Sequence, residues 1–241
     1  MNALHSKLTQ LEPEKITLWN ELQNEIINCR KCPRLVKFRE SVARERRKQF
    51  QDFEYWGKPV PSFGSPDARL VIIGLAPGAQ GGNRTGRMFT GDASSRFLFG
   101  HLYLSGFAIQ PNSDHMKDGQ RLIDCYITAA LHCVPPDNRP TLDEIKDCSG
   151  FLVRELPLLR NCKAILALGS IAFESVIDFA KKYYRASGKF PFLHGKKYAV
   201  AEGFPLVFAS YHPSPRNTQT GKLTSQMFLQ LLKEIKNNID R

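Results

Sequence analysis

The sequence predicts an α/β protein built on a mostly parallel sheet. Two observations predict it. Four short, nearly continuous apolar runs stand out: RLVIIGLA (69–76), CYITAAL (125–131), AILALG (164–169) and LVFASYH (206–212). Helical patterns lie between them, so strands alternate with helices. Continuous apolar character, rather than alternation, is what central strands covered on both faces require.

The helices are read in turn. Residues 94–107 (SSRFLFGHLYLSGF) carry apolar side chains at helical spacing and reach Gly106 at their end. Residues 141–159 open on a Thr141…Glu144 capping box. Residues 170–184 form a third helix, and residues 224–239 a last one. No internal repeat, low-complexity tract or dividing linker is evident. The expectation is a single domain over 1–241, with residues 1–60 as a helical, basic N-terminal elaboration.

The chain has 241 residues, 42% hydrophobic content and a formal net charge of +11. Such a balance excludes a disordered tail and favours a polyanionic partner, of which nucleic acid is the commonest. No apolar run is long enough to span a membrane. The first residues show no basic-then-apolar signal pattern. The expected setting is therefore a reducing cytoplasm, where six cysteines serve as ligands or buried small residues rather than disulfides.

An unusual loop follows each apolar run. The first is GLAPGAQGGNRTGRMFTGDAS (74–94), the second HCVPPDNRP, the third Gly169-Ser170 and the fourth HPSPRNTQTGKLT. Ligands of an open parallel sheet bind beyond the carboxyl ends of its strands, so these loops predict one composite site. The glycine stretch resembles a phosphate loop but lacks the terminal Gly-Lys-Ser/Thr of a Walker motif. Gly74, Gly78, Gly81 and Gly82 do not make a dinucleotide fingerprint either. What remains is a shelf whose backbone approaches a flat ligand closely. Phe89 is its candidate stacking face and Asp92 its candidate carboxylate. Their structural readings are a core phenylalanine and a helix N-cap. The cap role suits catalysis too, because the helix dipole holds a carboxylate ionised.

Cys29 and Cys32 form a C-x2-C pair, and Cys133 and Cys148 follow with fourteen residues between them. Four thiolates suit either Zn²⁺ or an iron–sulfur cluster, and spacing does not choose. The alternative is four unrelated buried cysteines. Cys125 lies inside one strand and Cys162 begins another, so both read as core.

Taken together, the glycine stretch, HPSPRNTQTGKLT, the C-x2-C pair and HCVPPDNRP…C resemble the family 5 uracil-DNA glycosylases, over nearly the whole chain from Cys29. The resemblance implies a three-layer α/β/α sandwich around a four-stranded, mostly parallel sheet. It implies a [4Fe–4S] cluster on Cys29, Cys32, Cys133 and Cys148; the separation of these cysteines in sequence from the glycine stretch reads as a structural role. It also implies DNA as partner, a cytoplasmic, nucleoid-associated monomer, and base excision repair. Most superfamily relatives place a polar water-activating residue after the first strand, whereas LAPGA has none, which leaves Asp92 as the acid. Gln80 departs from the family pattern, which has histidine there. Ala129 stands where family 4 has a base-reading asparagine, in keeping with a looser substrate range that includes hypoxanthine.

Hydrolysis of an N-glycosidic bond needs stabilisation of a cationic sugar and of a departing anionic base. His212, at the end of the fourth run, is the candidate donor to the base carbonyl, against the reading of a satisfied core histidine. Asp92 would favour the sugar cation and orient water. Asn138 is a candidate for positioning water or base, or else a turn residue. Phe89 would stack on the extruded base, with Gly78, Ala79 and Gln80 along its edge. Arg216 and Lys222 would meet phosphates while the 214–223 segment helps extrude the nucleotide. The basic stretch KFRESVARERRKQF (37–50) is a second candidate phosphate surface, or a solvated helical face. No lysine stands in the shelf or beside His212, which predicts a monofunctional enzyme. Two rivals are a non-catalytic iron–sulfur nucleic-acid-binding module and a small-nucleotide enzyme.

Overall fold

The structure is a computed structural model that describes residues 13–240. Residues 1–12 of the expected N-terminal elaboration lie outside the described residues. Helices α1 (Pro13–Asn28) and α2 (Pro33–Glu45) lead into strands β1 (Phe63–Gly64) and β2 (Leu70–Gly74). Helices α3 (Gly82–Thr85) and α4 (Ala93–Leu104) precede β3 (Cys125–Ala129). Helix α5 (Leu142–Glu155) precedes β4 (Ala164–Leu168), and α6 (Ser170–Tyr184) follows it. Strands β5 (Lys197–Tyr198) and β6 (Leu206–Ser210), then α7 (Pro215–Gln219) and α8 (Ser225–Ile239), complete the chain.

The sheet order is β1-β3-β2-β4-β6-β5. The four apolar runs pair in parallel, and two short strands add to the edges antiparallel. The sheet therefore has six strands rather than the expected four. Two-residue strands carry no readable periodicity, so their place depends on the neighbour they pair with. Every residue of β2, β3 and β4 is buried, which explains the unbroken apolar runs.

Successive strand residues serve opposite layers. Leu70, Ile72, Ile127, Leu166 and Phe208 meet Leu98 and Phe99 of α4 and Phe228 and Leu232 of α8. Val71, Ile73, Ile165 and Val207 meet Leu152 of α5 and Phe173, Val176 and Ala180 of α6. The molecule is thus a three-layer α/β/α sandwich. Both predicted caps form. Asp92 accepts from the Ser95 amide at 2.8 Å to start α4, and Thr141 and Glu144 make a reciprocal box at α5. Helix α1 is tied to the sheet by a fully buried carboxylate. Glu155 accepts from Tyr126 Oη (2.7 Å), Thr128 Oγ1 (2.7 Å), Ser62 Oγ (2.6 Å) and Gln23 Nε2 of α1 (3.1 Å). Four donors offset the desolvation of that group.

The chain leaves β2 for β3 on one side and β4 lies on the other. This switch point opens a crevice beyond the carboxyl ends of β2 and β4.

Candidate active site

The shelf enters that crevice from the end of β2. The Gly78 carbonyl accepts from the amides of Gly81 and Asn83, both at 3.1 Å, which curls the backbone into α3. The amides of Gly78 and Ala79 take no part in those bonds. Asp92 returns from the far end of the loop. Its Oδ1 is engaged as the cap, while Oδ2 faces the glycines. A Cβ built on Gly78 would stand 2.8 Å from Oδ2, and one on Gly81 would overlap it. The glycines therefore make room for a carboxylate, not a phosphate.

The loop's arginines are consumed internally. Arg84 is buried and donates to the carbonyls of Gln80 and Gly91, both at 2.9 Å, so it clasps the two ends of the shelf. Its guanidinium lies 4.1 Å from the Phe50 ring centroid. Arg87 donates to Ser113 Oγ at 2.7 Å and to Asp118 at 2.6 Å. Burial pushes the Asp118 carboxyl up, but Arg87 and three backbone amides together bring it down to about 2. The basic cluster seen in the sequence is a brace, and no lysine or arginine of the loop is left to meet a nucleotide phosphate.

Phe89 sits on left-handed backbone, φ +47°, a conformation that costs a non-glycine residue on the order of 1–2 kcal/mol. Its ring lies over Gly74, where a Cβ would come within 2.8 Å of it. Phe89 stacks toward His212, with centroids 5.8 Å apart and 28° between planes. His212 follows β6, and Asn217 Nδ2 donates to its carbonyl at 2.8 Å. Burial lowers the His212 imidazole to about 4, so it is neutral at physiological pH. Burial likewise raises the Asp92 carboxyl, against the pull of the Ser95 and Ser94 amides, Arg96 and Arg84. The expected net effect of the helix dipole is therefore reversed, because desolvation of the carboxylate outweighs the cap.

The other expected site residues are distributed as follows. Gln80 accepts from Tyr55 Oη at 2.7 Å, a contact the sequence did not suggest. Asn138 is exposed on left-handed backbone (φ +55°) beside Asp137 (φ +53°). That is the geometry of its turn reading. Arg216 is exposed on α7. Lys222 sets its ammonium 4.6 Å from the centroid of Tyr211, which itself stacks on His194 at 4.9 Å. Ala129 is buried in β3 opposite Gly74. Cys125 is buried core; Cys162, just before β4, is half-buried.

Cys29, Cys32, Cys133 and Cys148 line one small cavity with Leu35, Val36, His132 and Phe151. Cys29 directly follows α1, Cys32 precedes the Pro33 that starts α2, and Cys148 lies on α5. Burial pushes Cys133 and Cys148 up to about 12, so only a bound cation would draw off their protons. Among the described residues, no three His, Cys, Asp or Glu side chains converge on a single-ion position. The cavity adjoins the shelf more closely than sequence separation suggested: Leu75 and Ala76 pack in the same cluster as Cys32 and Cys133.

A crevice walled by a phenyl ring, a neutral imidazole and close-approach glycines suits the edge and face of a flat heterocycle. Its fold and site define a protein that handles nucleobases. Residues 61–236 match the uracil DNA glycosylase superfamily, and the chain belongs to that superfamily. It is 43% identical over 215 residues to a Type-5 uracil-DNA glycosylase of Pyrobaculum aerophilum, covering 89% of this chain and 91% of that one. The Type-5 uracil-DNA glycosylase of Thermus thermophilus is 48% identical over 208 residues, with coverage of 86% and 92%. A Type-4 uracil-DNA glycosylase of Archaeoglobus fulgidus is 29% identical over 198 residues, covering 81% of each.

Proposed function

We propose that this chain excises uracil from DNA by hydrolysing the N-glycosidic bond, and that it leaves an abasic site. The observation that carries the site assignment is the Asp92 carboxylate, held with one oxygen in a cap and the other over the glycine shelf. From there it favours the developing sugar cation and orients the attacking water. His212, neutral through burial, donates a hydrogen bond to the carbonyl oxygen that gains charge as the base departs. Phe89 stacks on the extruded base, and the free amides of Gly78 and Ala79 read its edge. Gln80, anchored by Tyr55, sits beside them and tunes which bases enter. Hypoxanthine is the expected second substrate. Arg216 on α7 meets a backbone phosphate. Asn138 is left in its turn role, as its exposure supports.

The four cysteines fit an iron–sulfur cluster better than zinc. An all-thiol set serves either, but the thiols surround a cavity with largely apolar walls instead of closing on one ion. Cys29, Cys32, Cys133 and Cys148 would hold a [4Fe–4S] cluster, whose contribution is a cross-link between α1, α2, the loop after β3 and α5. The protein acts as a monomer, in a reducing cytoplasm.

The test is single-turnover incubation with duplexes carrying one uracil, hypoxanthine or normal base, followed by alkali. Strand breaks that need alkali and occur at uracil establish a monofunctional glycosylase. Breaks without alkali sink the monofunctional reading. Binding with no breaks at any base replaces the enzyme with the binding module.

A further inference from the structure

The basic stretch on α2 is not used by the base pocket. It lines a cleft of about 450 Å³ between α1, α2 and residues 56–58, with Arg30, Arg39, Arg44 and Lys58 on its walls. A second hollow continues along α2 past Lys37. Glu40 is the one carboxylate among these lining residues; Arg30 engages it at 2.6 Å and Arg39 lies 3.7 Å from it. Charge here is thus left over, unlike that of Arg84 and Arg87 in the shelf.

Arg39 makes the cleft more than a solvated face. It is 2% exposed, and one Nη donates to the Gly57 carbonyl at 2.6 Å. Its Nε is buried with no partner. A buried, unmatched guanidinium donor costs stability unless an acceptor arrives. The wall of the cleft is also bonded to the active-site loop. Gly57 and Trp56 amides donate to Asn83 and Arg84 of α3 at 3.0 and 2.9 Å, and Asn83 Nδ2 donates to the Arg39 carbonyl at 3.2 Å.

We infer that this cleft grips backbone phosphates of the DNA strand beside the extruded nucleotide. The inference rests on the proposed base excision. A phosphate in the cleft meets Arg44 and Lys58, exposed at the rim, which add sequence-independent attraction, while Arg39 in the wall adds its buried positive charge. Because Trp56 and Gly57 of the cleft wall are bonded to α3, within the shelf, the cleft and the crevice share one frame.

The test compares the parent with Arg44→Gln/Lys58→Gln, and with Lys181→Gln/Lys182→Gln on α6 as a control of equal charge change. Binding to a long uracil-free duplex is titrated against salt, and uracil excision is measured at saturating DNA. The inference expects the rim variant to lose about two units of salt slope, at roughly 0.9 per phosphate, and at least tenfold in affinity. Its saturating excision rate and the control's slope stay at parental values. A rim variant with the parental slope overturns the cleft, as does a control that falls equally. Loss of excision by the parent itself counts against the base-excision reading and leaves the binding result standing on its own.

Discussion

The shelf and the cysteine cavity are neighbours that share Leu75 and Ala76 at their border, yet they are held together differently. The shelf comes from one stretch, 78–92, plus the end of β6, and its own polar bonds close it: Arg84 across its ends, Arg87 to Asp118, Asp92 to Ser95. The cavity gathers four positions from 29 to 148 and offers largely apolar walls and four thiols, of which burial holds Cys133 and Cys148 protonated. One is closed by its own polar bonds; the other is where the proposed cluster would sit. The difference teaches where damage should appear as lost chemistry and where as lost structure.

The largest expected effect is at the cavity. Cys148→Ser should abolish the iron and visible absorbance of the proposed cluster and leave the chain poorly folded, since structural metal sites contribute on the order of 10 kcal/mol. A soluble variant with parental melting would remove the distinction between the two regions. Next come Asp92→Asn and His212→Asn, each expected to slow single-turnover excision about 10²–10³-fold, with little change in melting for Asp92→Asn, because asparagine also caps helices well. Near-parental rates in both would displace the site.

The third prediction uses pH. His212 binds a proton in the unfolded chain below about 6.5, but in the folded protein only below about 4. Between those values the unfolded state holds more protons, so stability rises with pH there and is lost on acidification, by roughly 3 kcal/mol from this group. Asp92, raised by burial, acts with the opposite sign just above its ordinary value. Denaturant titration of parent and His212→Asn from pH 7 to 4 should show the dependence flattened in the variant; parallel curves would mean that His212 is not buried neutral. The smallest effect is Gly81→Ala, whose methyl must displace the Asp92 carboxylate. A cost of about 1–3 kcal/mol in stability and a tenfold slower rate are expected, read by melting and single-turnover kinetics.

Much of this was legible because it depends on local pattern. Continuous apolar runs marked β2, β3, β4 and β6, and Asp92 and Thr141 announced helix starts that both form. Asp92, Phe89 and His212 could be singled out because each sits in a loop directly after a strand. What stayed hidden depends on tertiary partners. Nothing in NRTGR tells that Arg84 and Arg87 point inward, and Tyr55 gives no sign that it meets Gln80 twenty-five residues on. The upward shift at Asp92 was missed for the same reason: a cap is visible in sequence, but the depth at which it is buried is not.

The stacking of Phe89 over Gly74 also constrains the routes by which this enzyme can change. Any side chain at residue 74 collides with the ring, so a substitution there is viable only after residue 89 has become smaller. The order of steps is fixed: first trim 89, then fill 74. A library that varies residue 74 alone would score it as intolerant, whereas a library pairing 74 with a smaller residue 89 would reach pockets of different depth, and with them bases of different size.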